Sequence, residues 1–332
     1  MSNRVARWLF GLAAVYNIAF GVWAALFPHS FFTIFDLPPP RYPSIWACVG
    51  MVVGVYAIAY AYVVWKPERG DVFAVIGLLG KVLGPIGWLV AVWREELPPR
   101  TFPLILANDL IWWFPFLFYL LRRIEIRRLV IAWIIVVIHI IACVALLAVS
   151  GGTEVEPDIA ARAEWVARHV AAWTATWFAW SLASMSLLAF FTVWAARLLE
   201  LSARRPWVIG GCMICAAGIL FDLSGETVYI VGLTRPTQTL EGFVRDARAY
   251  TLLSAGAANG LYCIAGLILS VISWRSGFLR GWIGLLGFAM WIVGLGLTAM
   301  AVLDHRMGLV LTGGAVMALF IPWATLVGWR LR

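Results

Sequence analysis

Ten stretches of this 332-residue chain are apolar and almost free of charge: 8–27, 44–65, 72–93, 101–121, 129–150, 168–196, 206–232, 250–273, 282–303 and 308–329. A run of about twenty such residues makes one helix long enough to cross a hydrocarbon core of about 30 Å. Only 13% of the residues are charged, against about 25% in soluble domains, too few to cover a globular surface. Strand alternation is absent and the segment lengths do not suit a β-barrel. The expected fold is therefore all-α: a polytopic integral membrane protein of about ten transmembrane helices. The opening run, MSNRVARWLFGLAAVYNIAFGVWAALFP, is too long for the apolar part of a signal peptide and reads as the first of them.

The distribution of basic residues sets the orientation. With the N-terminus in the cytoplasm, fifteen Lys and Arg fall on the cytoplasmic side, nine on the other, and Lys81 within the membrane. The excess of positive charge marks the cytoplasmic face, so both termini are expected there, in the plasma (bacterial inner) membrane. The net charge of +8 belongs to this asymmetry and implies no nucleic-acid partner. The partners expected are membrane lipids, with other membrane subunits or a second copy of the chain as further candidates.

The most basic connection, RRIEIRR at 122–128, divides four helices from six, which suggests bundles at 1–124 and 125–332. The longest polar stretch, GGTEVEPDIAARAEWVA at 151–167, follows the fifth segment. In the first bundle, YNIAFGVWAALFP runs into a proline-marked loop. With their size and helix count, residues 1–122 resemble the small four-helix bacterial membrane proteins of the DoxX-like type. The resemblance implies a self-contained four-helix bundle and assigns no functional residue.

Four charged residues lie well inside the apolar segments: Lys81, Asp109, Asp222 and Glu226. Each costs about 2.5–3.5 kcal/mol at a helix centre, so such residues pair, face the bundle interior and mark functional sites. Lys81 stands nine residues into its helix, ~13 Å, and Asp109 eight residues into the next, antiparallel one, ~12 Å from the other face. Their heights differ by ~5 Å, which a lysine stem spans, so a buried ion pair is expected, with Asn108, Tyr16 and Asn17 nearby. Gly77, Gly80, Gly84 and Gly87 share one helix face, and Gly80-xxx-Gly84 is a pattern for close helix approach.

In FDLSGETVY, 221–229, Asp222 and Glu226 are four residues apart and hence on one face, with Tyr229 nearby. Two like charges at that spacing repel, so the pair is a candidate proton or cation site. The eighth segment offers Ser254 and Asn259 as partners for Asp222, although its small residues also suit plain helix packing. Trp165, His169, Trp173, Trp177 and Trp180 form one aromatic stripe. Trp177 and Trp180 lie too deep for an interfacial belt and are candidate walls for a flat apolar ligand, a bound lipid or quinone. His139 and His169 are the candidate ligand histidines; no second axial ligand is obvious at the depth of His139, and His169 joins Glu154, Glu156, Asp158, Glu164, Asp304 and His305 at the outer face without HExxH or paired-His spacing, so no metal is expected. Cys212 and Cys215 have CxxC spacing in a purely apolar context, which reads as two small residues one turn apart.

No phosphate loop, nucleotide fingerprint, Ser-His-Asp set or zinc motif is present, and the loops are too short for a soluble domain. These absences point away from an enzyme, and no cofactor is expected. The leading expectation is a secondary transporter or permease for a small solute that uses Asp222, Glu226 and Asn259. The alternatives are an intramembrane lipid-, isoprenoid- or quinone-binding protein or enzyme, and an accessory subunit of a larger membrane complex.

Overall fold

The computed structural model describes residues 3–121, 128–149, 156, 158–201 and 204–331. The residues described are helical, with no strand among them. The helices are α1 (Asn3–Leu26), α2 (Pro43–Trp65), α3 (Asp71–Trp93), α4 (Ile111–Leu121), α5 (Arg128–Val144), α6 (Ile159–Arg168), α7 (Val170–Leu201), α8 (Arg205–Thr227), α9 (Leu240–Thr251), α10 (Asn259–Arg275), α11 (Trp282–Val302) and α12 (Arg306–Arg330). Nine helices among the described residues are long and apolar enough to cross a membrane. The segment expected at 101–121 is also helical, but in pieces: a 3-10 turn at Pro99–Thr101, an α-helical turn at Phe102–Ile105, a π-turn at Leu106–Leu110, then α4. The basic connection at 122–127 and most of 150–157 lie outside the described residues.

The chain divides into two compact units, Met1–Ala91 with Pro103–Glu125, and Val92–Phe102 with Ile126–Arg332. This differs from a simple cut at 124: the turn at Pro99–Thr101 packs on the π-turn Val228–Gly232 and so belongs with the second unit.

In the first unit α1 packs along α2. Gly21 and Gly50 let the two backbones touch, since a Cβ on Gly21 would lie 2.8 Å from the Gly50 carbonyl oxygen. The core is aromatic. Phe10 meets Phe116 at 4.6 Å and Tyr60 at 5.8 Å between ring centroids, and the Tyr119 hydroxyl donates to the Pro67 carbonyl at 2.8 Å.

In the second unit six long helices close into a ring, each packing on the next in the order α5, α7, α8, α10, α11, α12 and back to α5. Toward the C-terminal end of α7, Phe190, Trp194, Trp291 and Trp323 fill the ring, with Trp194 and Trp323 5.3 Å apart. Two of these indoles are satisfied by buried serines: Trp194 donates to Ser273 at 2.9 Å and Trp291 to Ser270 at 3.1 Å. At the same end, Arg128 of α5 pairs with Glu200 of α7.

The opposite end carries two short amphipathic helices, α6 and α9, which pack on each other. Asp158 caps α6, accepting from the Ala160 amide at 2.8 Å, and Thr239 caps α9 through the Gly242 amide. Arg248 of α9 donates to the Ala301 and Val302 carbonyls, where α11 ends, and pairs with Asp304. Neither α8 nor α9 stops at its last α-helical residue. Thr227 leads into the π-turn Val228–Gly232, and Thr251 into a second, Leu252–Ala258, that joins α9 to α10.

Candidate functional site

Two polar centres lie within the apolar segments, one in each unit. In the first, Lys81 Nζ stands 3.7 Å from Asp109 Oδ1, and both side chains are under a tenth exposed. Asn108 Nδ2 donates to the same carboxylate oxygen at 2.8 Å, and Lys81 lies 5.9 Å from the centroid of the Tyr16 ring. Asn17 is not in this group; it donates to the Val53 carbonyl. The glycine face does not act as the spacing suggested. A Cβ on Gly80 would meet only Tyr56, at 3.8 Å, and one on Gly87 nothing within 4 Å. Gly84 instead makes room for the acid, since its Cβ would lie 2.7 Å from Asp109 Oδ2. Gly77 does the same for the rings of Tyr60 and Phe116.

The second centre gathers the middle of α7, the end of α8 and the start of α10 with the π-turn before it. Asp222 and Glu226 stand on one face of α8 and are 7% and 2% exposed, so Glu226 does not reach past the protein to solvent. Ser254, in the π-turn before α10, donates to Asp222 Oδ1 at 2.5 Å, and Tyr262 of α10 to Oδ2 at 3.0 Å. Gly218, one turn before Asp222, admits that tyrosine: a Cβ there would lie 2.7 Å from its ring. Ser184 of α7 bridges the carboxyls, 2.9 Å from Asp222 Oδ2 and 2.8 Å from Glu226 Oε1, while lying 3.1 Å from the Trp180 carbonyl. One hydroxyl proton faces three acceptors, so it cannot serve them all. Glu226 Oε2 has no hydrogen-bond partner among the described residues. Neither carboxyl forms an ion pair with Lys, Arg or His among the described residues.

Above the carboxyls, toward α6 and α9, the lining turns aromatic. Tyr229, in the π-turn that follows Glu226, stacks on Tyr250 at 3.6 Å between centroids. Trp177 stands edge-on to both, at 4.6 and 4.9 Å. Trp173 donates its indole N–H to the Tyr229 carbonyl at 3.0 Å. The indole N–H groups of Trp177 and Trp180 are buried and find no acceptor among the described residues. Arg162 of α6 is 6% exposed, donates to the Tyr229 hydroxyl at 2.9 Å, and lies about 6 Å from the rings of Trp173, Tyr229 and Phe243.

Three expected members are elsewhere. Asn259 does not reach Asp222; it donates to the Gly294 carbonyl at 2.5 Å and to Thr298 at 2.9 Å, joining α10 to α11. His139 of α5 bonds its own helix at the Ile135 carbonyl and packs on Phe320 of α12. His169 is exposed at the break between α6 and α7, stacked on Trp165. That break also ends the aromatic stripe: only Trp173, Trp177 and Trp180 continue along α7.

Tyr262, Tyr250 and Arg162 are members that spacing did not indicate. In a pure α-helix the eight residues from Ser254 to Tyr262 turn through ~800°, about 80° out of register. The wider π-turn takes up that difference, and no residue pattern announces it. No family model, curated protein or solved structure matches the chain.

Proposed function

We propose that the chain is a secondary transporter of the plasma membrane that moves a small solute, with Asp222 and Glu226 as the proton- or cation-binding pair that couples transport. In this reading the interrupted segment at 101–121 is a tenth span and both termini are cytoplasmic. One observation carries the assignment: two buried carboxyls of like sign share the Ser184 hydroxyl, and neither forms an ion pair with a basic side chain among the described residues. An arrangement used only for packing gains nothing from a second acid at that depth. A proton on one carboxyl would supply the donor that Ser184 lacks, and its release would leave a site for a cation.

The test uses protein reconstituted in liposomes with a trapped pH-sensitive dye. Addition of the transported solute from a panel should move protons in the wild type and not in Glu226→Gln or Asp222→Asn. Proton movement that persists in both variants removes the carboxyls from the mechanism.

A second reading, a quinone- or isoprenoid-binding protein, draws on the unpartnered indole N–H groups of Trp177 and Trp180. It expects a native ligand in mass spectra of the purified protein that disappears in Trp177→Ala.

A further inference from the structure

Helix α10 ends and α11 begins at the end of the second unit where Arg128 pairs with Glu200. Two glycines with positive φ, Gly277 at 82° and Gly281 at 70°, make the turn between these helices. Gly284 then holds them together, since a Cβ there would lie 2.6 Å from the Leu279 carbonyl oxygen and 2.8 Å from the Trp274 ring. Beside this contact lies a groove of about 230 Å³, lined by Val271, Trp274, Arg275, Leu285 and Phe288. Val271 and Leu285 are 39% and 59% exposed, so the groove opens to the protein surface.

Its polar side is basic. Arg275 is exposed and forms no hydrogen bond or ion pair among the described residues. Arg280 donates Nε to the Trp274 carbonyl at 3.0 Å, and the rest of its fork of N–H donors is left over. No acid balances them. Where α5, α8 and α11 begin and α7, α10 and α12 end, the described residues include seven arginines and one carboxylate, Glu200, which already pairs with Arg128 and Arg197. Trp274 and the exposed Trp282 stand at the same end, and tryptophan gathers at the depth of lipid headgroups.

We propose that this groove binds one anionic phospholipid, with an acyl chain between α10 and α11 against Trp274, Leu285 and Phe288, and the headgroup phosphate on Arg275 and Arg280. Charge names the occupant. Guanidinium donors match a phosphate, and two cations without an acid favour a net negative headgroup over a zwitterionic one. Size excludes a whole soluble ligand, because pockets that enclose drug-sized molecules begin at about 300 Å³, whereas this groove is smaller and open. An acyl chain enters it from the bilayer without crossing water. The site lies at the far end of α10 from Ser254 and Tyr262 and does not depend on the carboxyl pair.

Native mass spectrometry of the full-length protein in mild detergent tests this, with phosphatidylglycerol and phosphatidylcholine of identical chains as the two probes. A basic side chain beside an anionic headgroup is worth about fivefold in affinity. With two such side chains, the wild type should hold one phosphatidylglycerol about 25-fold more tightly than phosphatidylcholine. Arg275→Gln and Arg280→Gln should each weaken phosphatidylglycerol about fivefold, and the double variant should bring the two lipids level. Leu285→Trp fills the groove and should weaken both lipids. Arg330→Gln, at the same end but outside the groove, should leave binding nearly unchanged. Arg275 and Leu285 are exposed, so their variants keep the test decisive if Arg280→Gln, which also loses the bond to Trp274, does not fold. Equal binding of the two lipids by the wild type, a loss in Arg330→Gln as large as in Arg275→Gln, or binding unmoved by Leu285→Trp would overturn the proposal.

Discussion

The Lys81–Asp109 centre and the Asp222–Glu226 centre both bury two ionisable groups inside apolar segments, and they do so in opposite ways. The first joins unlike charges from two segments, 3.7 Å apart, each the other's main partner. The second places like charges on one helix and surrounds them with hydroxyls from two others. Each uses a glycine to admit a polar group, Gly84 for Asp109 and Gly218 for Tyr262. Each is accompanied by π-turns: Leu106–Leu110 contains Asp109, Val228–Gly232 follows Glu226, and Leu252–Ala258 contains Ser254. Such turns recur at functional sites because they re-aim side chains without ending the helix. What separates the centres is balance. The first neutralises itself, which is what a structural pair requires. The second has more acceptors than donors and leaves Glu226 Oε2 without a hydrogen-bond partner among the described residues.

The sharpest way to break the comparison is to unbalance the balanced centre. Lys81→Met leaves Asp109 buried beside an apolar group and should destabilise the protein by about 3–5 kcal/mol. The double change Lys81→Met, Asp109→Leu should recover most of that loss. Thermal unfolding in matched detergent reads both. A double variant no more stable than the single would mean that the two groups are not energetically coupled.

Gly84→Ala comes next. Its Cβ would press on Asp109 Oδ2 at 2.7 Å, and overpacking of this kind costs about 1–3 kcal/mol. Gly87→Ala is the control, with nothing within 4 Å of the added carbon, and should leave the melting temperature unchanged or slightly higher. Equal effects at the two glycines would show that Gly84 serves the helix backbone and not the carboxylate.

Asn259→Ala deletes hydrogen bonds to Gly294 and Thr298 between α10 and α11. Interhelical hydrogen bonds in membranes average about 0.6 kcal/mol, so a loss near 1 kcal/mol in chemical unfolding is expected, with solute-driven proton movement in liposomes unchanged. A change in proton movement would return Asn259 to the site.

These contrasts follow what spacing can and cannot convey. A four-residue interval puts Asp222 and Glu226 on one helix face whatever surrounds them, so that half of the site is legible in the residues. The Lys81–Asp109 pair is legible from depth, because two antiparallel helices and a short connection fix both heights. The glycines are legible as a face, but not as to what fills it. Asn259 is misleading for a related reason: helical periodicity gives the residues that share a face and leaves open which neighbour that face meets. Tyr262 and Tyr250 are hidden by the π-turn between them, which changes the period. Arg162 is hidden because its helix reads as an ordinary charged loop segment, and its burial depends on rings contributed by α7, α9 and the turn after α8. His169 shows the converse: a stripe spaced 4, 4, 4 on paper is cut where one residue leaves the helical conformation.

The smallest expected effect on stability is also the one that most sharpens the comparison. Glu226→Gln keeps the volume of the side chain and a group able to donate to Ser184, and it orphans no cation. Its cost to folding should be below about 0.5 kcal/mol, an order of magnitude less than that of Lys81→Met. The same change should abolish solute-driven proton movement in liposomes. If Glu226→Gln instead destabilises as strongly as Lys81→Met, the acid is held by structure and not kept for a ligand, and the two centres are the same kind of object. If it folds normally and proton movement stops, the difference in charge balance is the difference between packing and function.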